Sequence, residues 1–255
     1  MFSYKQQRRG GRPGPGNGRP GGFTLPELIV ASTIMGVLML MVLRFQYESI
    51  SDMTTSEDTG EINHDMRYLT ESMSRDARAA NFFVMYSNYT MSSRSSPTQE
   101  LTQQNSGDFL VLVNYGNSTG LANFNVCPVN EIIGYYRAPY TAGQTDTMSA
   151  DTQLMPVRRF DLTVANGGIP ANTYLESVGV PSGGTTATLE SLLPSDSQST
   201  IANHTIVVQL AQGLADQHLF YNYWGKSIMV NGVIAHGNNN QSATDTYNFT
   251  ISPRG

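Results

Sequence analysis

The sequence contains very little cysteine and few charged residues. Cys127 is the only cysteine among 255 residues, so an intrachain disulfide and a metal site built from several thiolates are both excluded. Charged residues make up only 14% of the chain, whereas Ser, Thr, Asn, Gln and Gly are abundant. This composition is more typical of a β-rich, loop-rich extracytoplasmic protein than of a helical cytosolic enzyme. We expect Cys127 to be an inert, small apolar residue.

The sequence also lacks the motifs that would indicate catalysis or metal binding. It has no Gly-x-Ser-x-Gly nucleophile elbow and no phosphate-binding loop. The four histidines show no i,i+4 pair and no cluster with cysteine; they are His64, His204, His218 and His236. We expect them to have solvated or packing roles. The chain is therefore predicted not to be an enzyme, with no catalytic residue, no metal site and no cofactor.

Basic residues are unevenly distributed along the chain. Residues 1–22 contain no acidic residue and five of the 15 Lys and Arg residues, namely Lys5, Arg8, Arg9, Arg12 and Arg19. The rest of the chain contains all 20 Asp and Glu residues and is strongly acidic. Because nucleic-acid binding depends on Lys and Arg contacts to phosphate, we predict no nucleic-acid partner for the chain after residue 22.

An apolar segment follows the Gly/Pro-rich leader of residues 1–22, which has no periodicity and is predicted to be flexible. Residues 23–43 contain a single charged residue, Glu27, and as a helix they are long enough to span a bilayer. Basic residues precede this segment and acidic residues follow it, which places the N-terminus in the cytoplasm and the rest outside. The alternative, a buried helix of a soluble protein, would need apolar neighbours on every side.

Residues 44–82 predict an amphipathic continuation of this helix. Apolar residues recur every three or four positions and form one stripe, which consists of Ile62, Met66, Leu69, Met73, Ala77 and Ala80. The opposite face is predicted to carry the charged residues Asp65, Arg67, Glu71, Arg75, Asp76 and Arg78. We expect the stripe to pack on a sheet, a coiled-coil partner being the alternative. Gly60 is a predicted kink or weak point.

Residues 83–255 predict a β-rich globular head. Short runs of β-branched and aromatic residues between Gly, Pro, Asn and Ser indicate strands at 109–114, 131–137, 157–164, 204–211, 217–224 and 245–252. Their order favours an α+β fold in which the long N-terminal helix packs on a largely antiparallel sheet. Residues 165–200 are predicted to be an irregular insertion with a short helix near Leu189–Leu193. We expect Tyr221, Tyr223 and Trp224 to lie in a strand core, an exposed ligand patch being the alternative.

The segment from Gly21 to Leu28 resembles the type III signal of type IV pilins and type II secretion pseudopilins. It reads Gly-Gly-Phe-Thr-Leu-Pro-Glu-Leu and lies between a basic leader and an apolar run, as in that family. The resemblance implies that prepilin peptidase cuts between Gly22 and Phe23 and that Phe23 is then N-methylated. An ordinary secretory signal is cut after its apolar region. Here the junction precedes that region, so the apolar helix stays in the mature protein.

The resemblance also implies a role for Glu27. A carboxylate inside a membrane-spanning helix is costly and usually functional. Glu27 is the fifth residue after the cut, where the family's glutamate is thought to pair with the N-terminal amine of a neighbouring subunit. Such a pair would neutralise both charges inside a filament and set its axial register. A glutamate that snorkels to lipid headgroups is the alternative.

Weaker similarity downstream resembles the larger minor pilins, the J-type pseudopilins and the W-type minor pilins. It covers the helix end at 66–80 and the strand segments at 133–137, 157–160 and 219–223. The single cysteine and the large head also favour a minor subunit. The resemblance therefore implies a structural subunit of a type IV pilus, a type II secretion pseudopilus or a competence pseudopilus.

This resemblance implies partners and a location as well. The partners are the inner membrane, prepilin peptidase, other pilins or pseudopilins and the assembly platform. The chain is expected to be a single-pass protein of the bacterial inner membrane with an extracytoplasmic head. A membrane-anchored binding protein that forms no filament is the alternative, and it would have no need of Glu27. An anchored hydrolase would need a nucleophile–base pair, which the sequence does not reveal.

Overall fold

The computed structural model describes residues 22–116, 127–138, 154–175, 183–238 and 241–253. The chain divides into two compact units, Met1–Ile50 and Ser51–Gly255. Apart from Gly22, the predicted leader lies outside the described residues.

The long N-terminal helix, α1, spans Leu25–Ala79. Near its start, the Leu28 N–H donates a hydrogen bond to the Thr24 carbonyl at 3.1 Å. Pro26 lies in the first turn, where a missing N–H breaks no intrahelical hydrogen bond. In the first unit, every described side chain up to Ile50 is exposed. From Leu28 to Leu43 this part of α1 is apolar on all sides, so it requires an apolar environment.

The described part of the second unit is built mainly from strands. In chain order they are β1 (Phe82–Tyr86), β2 (Ser106–Gly107), β3 (Phe109–Tyr115), β4 (Val129–Arg137), β5 (Met155–Thr163), β6 (Thr173–Leu175), β7 (Thr185–Ala187), β8 (Thr205–Gly213), β9 (Phe220–Tyr223), β10 (Ser227–Asn238) and β11 (Gln241–Ile251). Among the described residues, nine strands form one sheet in the order β1-β3-β4-β5-β8-β10-β9-β2, with β11 paired to β10.

All pairings within that sheet are antiparallel, whereas β6 and β7 form a separate parallel pair. The second half of α1 packs on one face of the large sheet. The predicted α+β fold, a long N-terminal helix on a largely antiparallel sheet, is therefore confirmed.

The apolar stripe of α1 is buried against the sheet, as predicted. Its members in the core cluster are Ile62, Leu69, Met73 and Ala77, with Met66 partly buried beside them, and Ala80, directly after the helix, belongs to the same cluster. Strand β3 supplies Leu110 and Leu112 to the same cluster. Burial of these apolar side chains stabilises the contact between helix and sheet by roughly 1.5–3 kcal/mol for each large side chain.

The opposite face of the sheet is buried as well. Phe109, Val111 and Val113 of β3 point to this second side, because neighbouring residues of a strand face opposite ways. Two short helices cover it: α2 (Leu189–Leu192) and α3 (Gln198–Asn203). Burial on both faces explains why β3 reads as a continuous apolar run.

Several elements differ from the sequence predictions. Helix α1 ends at Ala79, not near Phe82, because Phe82 begins β1 and pairs with Val113 of β3. It continues as α-helix through Gly60. The region predicted as an irregular insertion contains β6 and β7 as well as the expected helix near Leu189–Leu193.

Strand β10 is absent from the predicted strands although it is 12 residues long. Gly232 and Gly237 interrupt its apolar pattern, and glycine weakens a strand signal. Nevertheless Ile228, Val230 and Ile234 recur at even spacing and are all buried. This alternation was the available signal for a strand.

Candidate functional site

The predicted cleavage junction lies in the open chain before α1. A Cβ atom placed on Gly22 would meet no atom within 4 Å, and the Phe23 side chain is 85% exposed. Among the described residues, nothing shields the Gly22–Phe23 bond from a peptidase.

Glu27 caps the start of its own helix. Its Oε2 atom accepts hydrogen bonds from the Thr24 backbone N–H at 2.9 Å and from the Thr24 hydroxyl at 2.8 Å. This is the back-reaching half of a capping box, in which the acidic residue lies three positions after a Ser or Thr. The Thr-x-x-Glu spacing is visible in the sequence, so this local role of Glu27 could have been predicted.

The helix that follows presents an apolar surface. It contains an apolar stretch that is long enough to cross a membrane, and no residue of that stretch is buried. Leu40, for example, is 69% exposed. The two hydroxyl groups in this segment are satisfied within the helix, because Ser32 and Thr33 donate to the carbonyls of Ile29 and Val30. The segment therefore offers few polar groups to an apolar surrounding.

A family model for the prokaryotic N-terminal methylation motif matches residues 18–43. No curated protein and no solved structure matches the chain. The matched residues include the Gly22–Phe23 junction, Glu27 and the apolar start of α1. The match supports a type IV pilin-like signal, which implies processing by prepilin peptidase. Together with one N-terminal apolar helix, this signal fits a single-pass membrane protein.

In the head, α1 is joined to the sheet by a buried ion pair that involves Asp76. Asp76 is 4% exposed, and its Oδ2 accepts hydrogen bonds from the Tyr135 hydroxyl at 2.6 Å and the Arg159 Nε at 2.9 Å. Burial, followed by the hydrogen bond to Asp76, raises the pKa of Tyr135. Placing Asp76 on the solvent face of α1 was therefore wrong. It lies seven residues after Leu69, a spacing that belongs to the buried stripe.

A second polar contact between helix and sheet surrounds His236 of β10. The Nε2 atom of His236 lies 3.0 Å from the Asp65 carboxylate, and Nδ1 lies 3.0 Å from the Glu61 carboxylate. The hydrogen bond to Asp65 raises the pKa of His236, although burial opposes the shift; the negative charges of Asp65, Glu61 and Asp58 add to it. Asp65 is half-buried here, so its predicted place on the solvent face was also wrong.

Asp108 is the centre of a third polar contact, which lies within the sheet region. Its carboxylate accepts two hydrogen bonds from Arg137, both at 2.8 Å, and one from the Leu219 N–H at 2.9 Å. The Nδ1 atom of His218 lies 3.0 Å from the same carboxylate. Four contacts occupy the acceptor sites of a carboxylate, so Asp108 positions the neighbouring strands and has no site left to act as a base.

The remaining histidines have the packing and solvated roles expected of them. His204 packs among the aromatic rings of Tyr89, Tyr136 and Phe160, and burial lowers its pKa to about 4, with the Arg158 charge adding to the shift. His64 is exposed. Among the described residues, no group of three or more His, Cys, Asp or Glu side chains is placed to hold a metal ion.

The structure also shows where the aromatic residues near β9 and Cys127 lie, and the prediction for the aromatic residues needs correction. Tyr223 and Trp224 are about half exposed, at 49% and 53%. Trp224 has a φ of 57° and lies in the turn between β9 and β10. The strand-core interpretation was therefore wrong for these two residues, since the core side of β9 is occupied by Phe220. Cys127 is buried at 4% exposure.

Proposed function

We propose that the chain is a structural subunit, a minor pilin or pseudopilin, of a type IV pilus, a type II secretion pseudopilus or a competence pseudopilus. The methylation-motif match at residues 18–43 carries this proposal. Under it, prepilin peptidase cuts after Gly22 and N-methylates Phe23. Such a subunit needs an apolar helix for the filament core and a folded head, and α1 joins these two parts in one continuous helix.

The proposal assigns a role to each part of the chain. Residues 1–22 are the leader and residues 23–43 the membrane and filament-core helix. Residues 44–82 are the amphipathic part, and residues 83–255 the extracytoplasmic head. Other pilins, the assembly platform and the inner membrane are the partners. The size of the head and the single cysteine favour a larger minor pilin of the J or W type.

Glu27 distinguishes assembly from simple anchoring. In a filament, we propose that its carboxylate pairs with the Phe23 amine of a neighbouring subunit, which neutralises two charges in an apolar core. A membrane-anchored binding protein, the second candidate, needs Glu27 only as the helix cap that it forms with Thr24. In the first account, assembly depends on the negative charge of residue 27. In the second, residue 27 needs only to accept the capping hydrogen bonds from Thr24.

The experiment compares Glu27→Ala, Glu27→Gln and Thr24→Val with the unchanged chain in native membranes. Glutamine can still reach back to cap a helix but carries no charge. If the charge pairs between subunits, both Glu27 variants leave a buried amine unpaired, which costs roughly 3–5 kcal/mol. We therefore expect recovery in sheared or crosslinked filament fractions to fall about a hundredfold or more for both. Thr24→Val removes only part of the cap and should assemble.

Intact-mass analysis separates processing from assembly in the same samples. We expect a mature chain that begins at N-methyl-Phe23 in all variants. Normal assembly of Glu27→Gln together with loss of assembly in Glu27→Ala would show that capping, not charge, is required. A chain left uncut at Met1, or one cut after residue 43, would contradict the proposal at its first step.

A further inference from the structure

Strand β11 forms an open edge of the large sheet. Among the described residues it pairs only with β10, in one regular antiparallel register from Gln241 to Ile251. Within the part of the chain that the structure describes, its second row of backbone N–H and C=O groups therefore has no strand partner. Edge strands are usually protected by proline, lysine or a bulge. Strand β11 has none of these, and Asp245 is its only charged residue.

A groove of about 460 Å³ runs beside this edge. One wall is formed by four residues of α1 between Met66 and Glu71, and the other by residues 246–249 of β11. Neighbouring residues of a strand point to opposite faces. Because consecutive residues line the groove, it follows the edge of β11 rather than one of its faces. Half-buried Met66 and Phe249 provide an apolar floor that adjoins the core.

The surface of α1 that lines this edge groove and an adjoining groove carries more basic than acidic residues, although the protein as a whole is acidic. Arg67 lines the groove, and Arg75 and Arg78 line an adjoining groove that shares Thr70 and Glu71 with it. All three arginines are exposed. Arg75 pairs with Asp76 at 3.2 Å, whereas Arg67 and Arg78 form no ion pair with another described residue. Of the described residues that line the two grooves, Glu71 is the single acidic one.

We propose that the edge groove binds an extended acidic peptide segment of another protein, which adds to the sheet as a strand beside β11. The free backbone groups of β11 would supply the hydrogen-bond ladder, as in other cases of strand addition. Met66 and Phe249 would contact one apolar side chain of the peptide. Arg67 and Arg78 would contact its carboxylates. A nucleic-acid backbone offers phosphate acceptors to the arginines but cannot pair with both donors and acceptors of a strand edge, so a peptide fits better.

The test uses the full-length chain in detergent and defined probes. The first probe is a labelled peptide of about nine residues, a usual strand length, that alternates Val and Asp. The second has the same charge but carries prolines, which cannot donate to a ladder. The third alternates Val and Lys, and the fourth is a single-stranded oligonucleotide. Fluorescence anisotropy measures binding, and hydrogen exchange with mass spectrometry measures protection of residues 241–251.

We expect only the Val/Asp peptide to bind and to slow exchange in β11. The double variant Arg67→Glu with Arg78→Glu should weaken that binding about tenfold. Lys226→Glu is the matched control, because this exposed lysine lines a different groove with Asn81 and Pro253; it should bind as the unchanged chain does. Thr246→Pro, on the open strand, should also reduce the protection.

Other results would overturn the proposal. Equal binding of the proline-containing peptide would show simple charge attraction without strand addition. Protection by the oligonucleotide but not by the peptide would identify a nucleic-acid surface. Protection of 241–251 that rises with protein concentration in the absence of any probe would identify the edge as a contact between two copies of this chain. Unchanged affinity in the double variant would remove the arginines from the site.

Discussion

Two segments of the same helix, α1, have opposite surroundings. The exposed segment, residues 25–50, is apolar on every side from Leu28 to Leu43, and all of its side chains are exposed. The packed segment, residues 62–79, buries a single stripe against the sheet and exposes the rest. Helix formation is therefore not what distinguishes them. The distribution of apolar residues decides whether a helix needs a protein core on one side or an apolar medium all round.

The two segments also use charge differently. The exposed segment has one ion pair, Arg44 with Glu48 at 3.1 Å, whose side chains are 83% and 60% exposed. The packed segment has Asp76, which is buried between Arg159 and Tyr135. A pair open to water contributes little to stability. A buried carboxylate, in contrast, is tolerated only with complete partners, so Asp76 makes the packed segment depend on one specific position on the sheet.

The strongest test of this comparison separates the segments. A chain of residues 45–255 lacks most of the exposed apolar surface but keeps the packed stripe and its sheet. We expect it to be soluble without detergent and to melt cooperatively, with a circular dichroism spectrum of mixed helix and strand. The full-length chain in the same buffer should aggregate. Aggregation of the shortened chain, or a melt without cooperativity, would show that the head needs the exposed segment to fold.

The next largest effect is expected from the buried ion pair. Asp76→Ala leaves Arg159 and Tyr135 without their acceptor in a buried place, which should lower the free energy of unfolding by roughly 3–5 kcal/mol. Glu48→Ala is the matched control, and its exposed pair should contribute less than about 0.5 kcal/mol. Chemical denaturation of the full-length chain in detergent, followed by near-UV circular dichroism, measures both. Equal, small effects would contradict a stabilising role for Asp76.

Much of the fold is predictable from the sequence because periodicity reports burial directly. The apolar run before Arg44 and the stripe from Ile62 to Ala80 both appear in the structure, as do strands such as β3 and β4. The end of α1 and strand β10 are less predictable, because Phe82 and Gly232 each fit more than one local structure. Pairing with other strands decides which structure forms: Phe82 pairs with β3, and Gly232 pairs with β11.

The candidate site, too, was predictable where its residues are close together in the sequence and not where they are far apart. The junction and Glu27 are recognisable because they belong to a continuous local motif. The contacts of Asp76 and of Asp65 with His236 join residues that are far apart in sequence, so no local pattern indicates their partners. What the sequence does contain is a charged residue at stripe spacing in both cases. Such a residue predicts a buried partner on the facing element.

A pH dependence is expected from the contact between His236 and Asp65. Because the folded-state pKa of His236 is raised, folding favours the protonated ring. This contribution is fully present below the unfolded pKa of about 6.5 and is lost as the pH rises through the folded pKa. We expect the free energy of unfolding to fall as the pH rises above about 6.5.

The control for this effect is His64, an exposed histidine on the helix that carries Asp65. His236→Asn should flatten the decline, whereas His64→Asn, at an exposed position, should leave it unchanged. Denaturation midpoints across the pH range measure both variants. A decline that persists in His236→Asn would assign the pH dependence to another group.

The smallest expected effect concerns Gly60, which precedes the packed segment. A Cβ atom at Gly60 would meet nothing within 4 Å, so alanine fits there and should stabilise the helix by about 0.5–1 kcal/mol through its lower backbone entropy in the unfolded state. Hydrogen exchange of amides near residue 60 should slow by about two- to fivefold. Gly36→Ala has equal space around it but lies in the exposed segment. In a bilayer, helix hydrogen bonds there cannot open to water, so exchange should not change. Equal slowing at both positions would mean that water reaches both segments alike, and the two surroundings would not differ in the way that their sequences indicate.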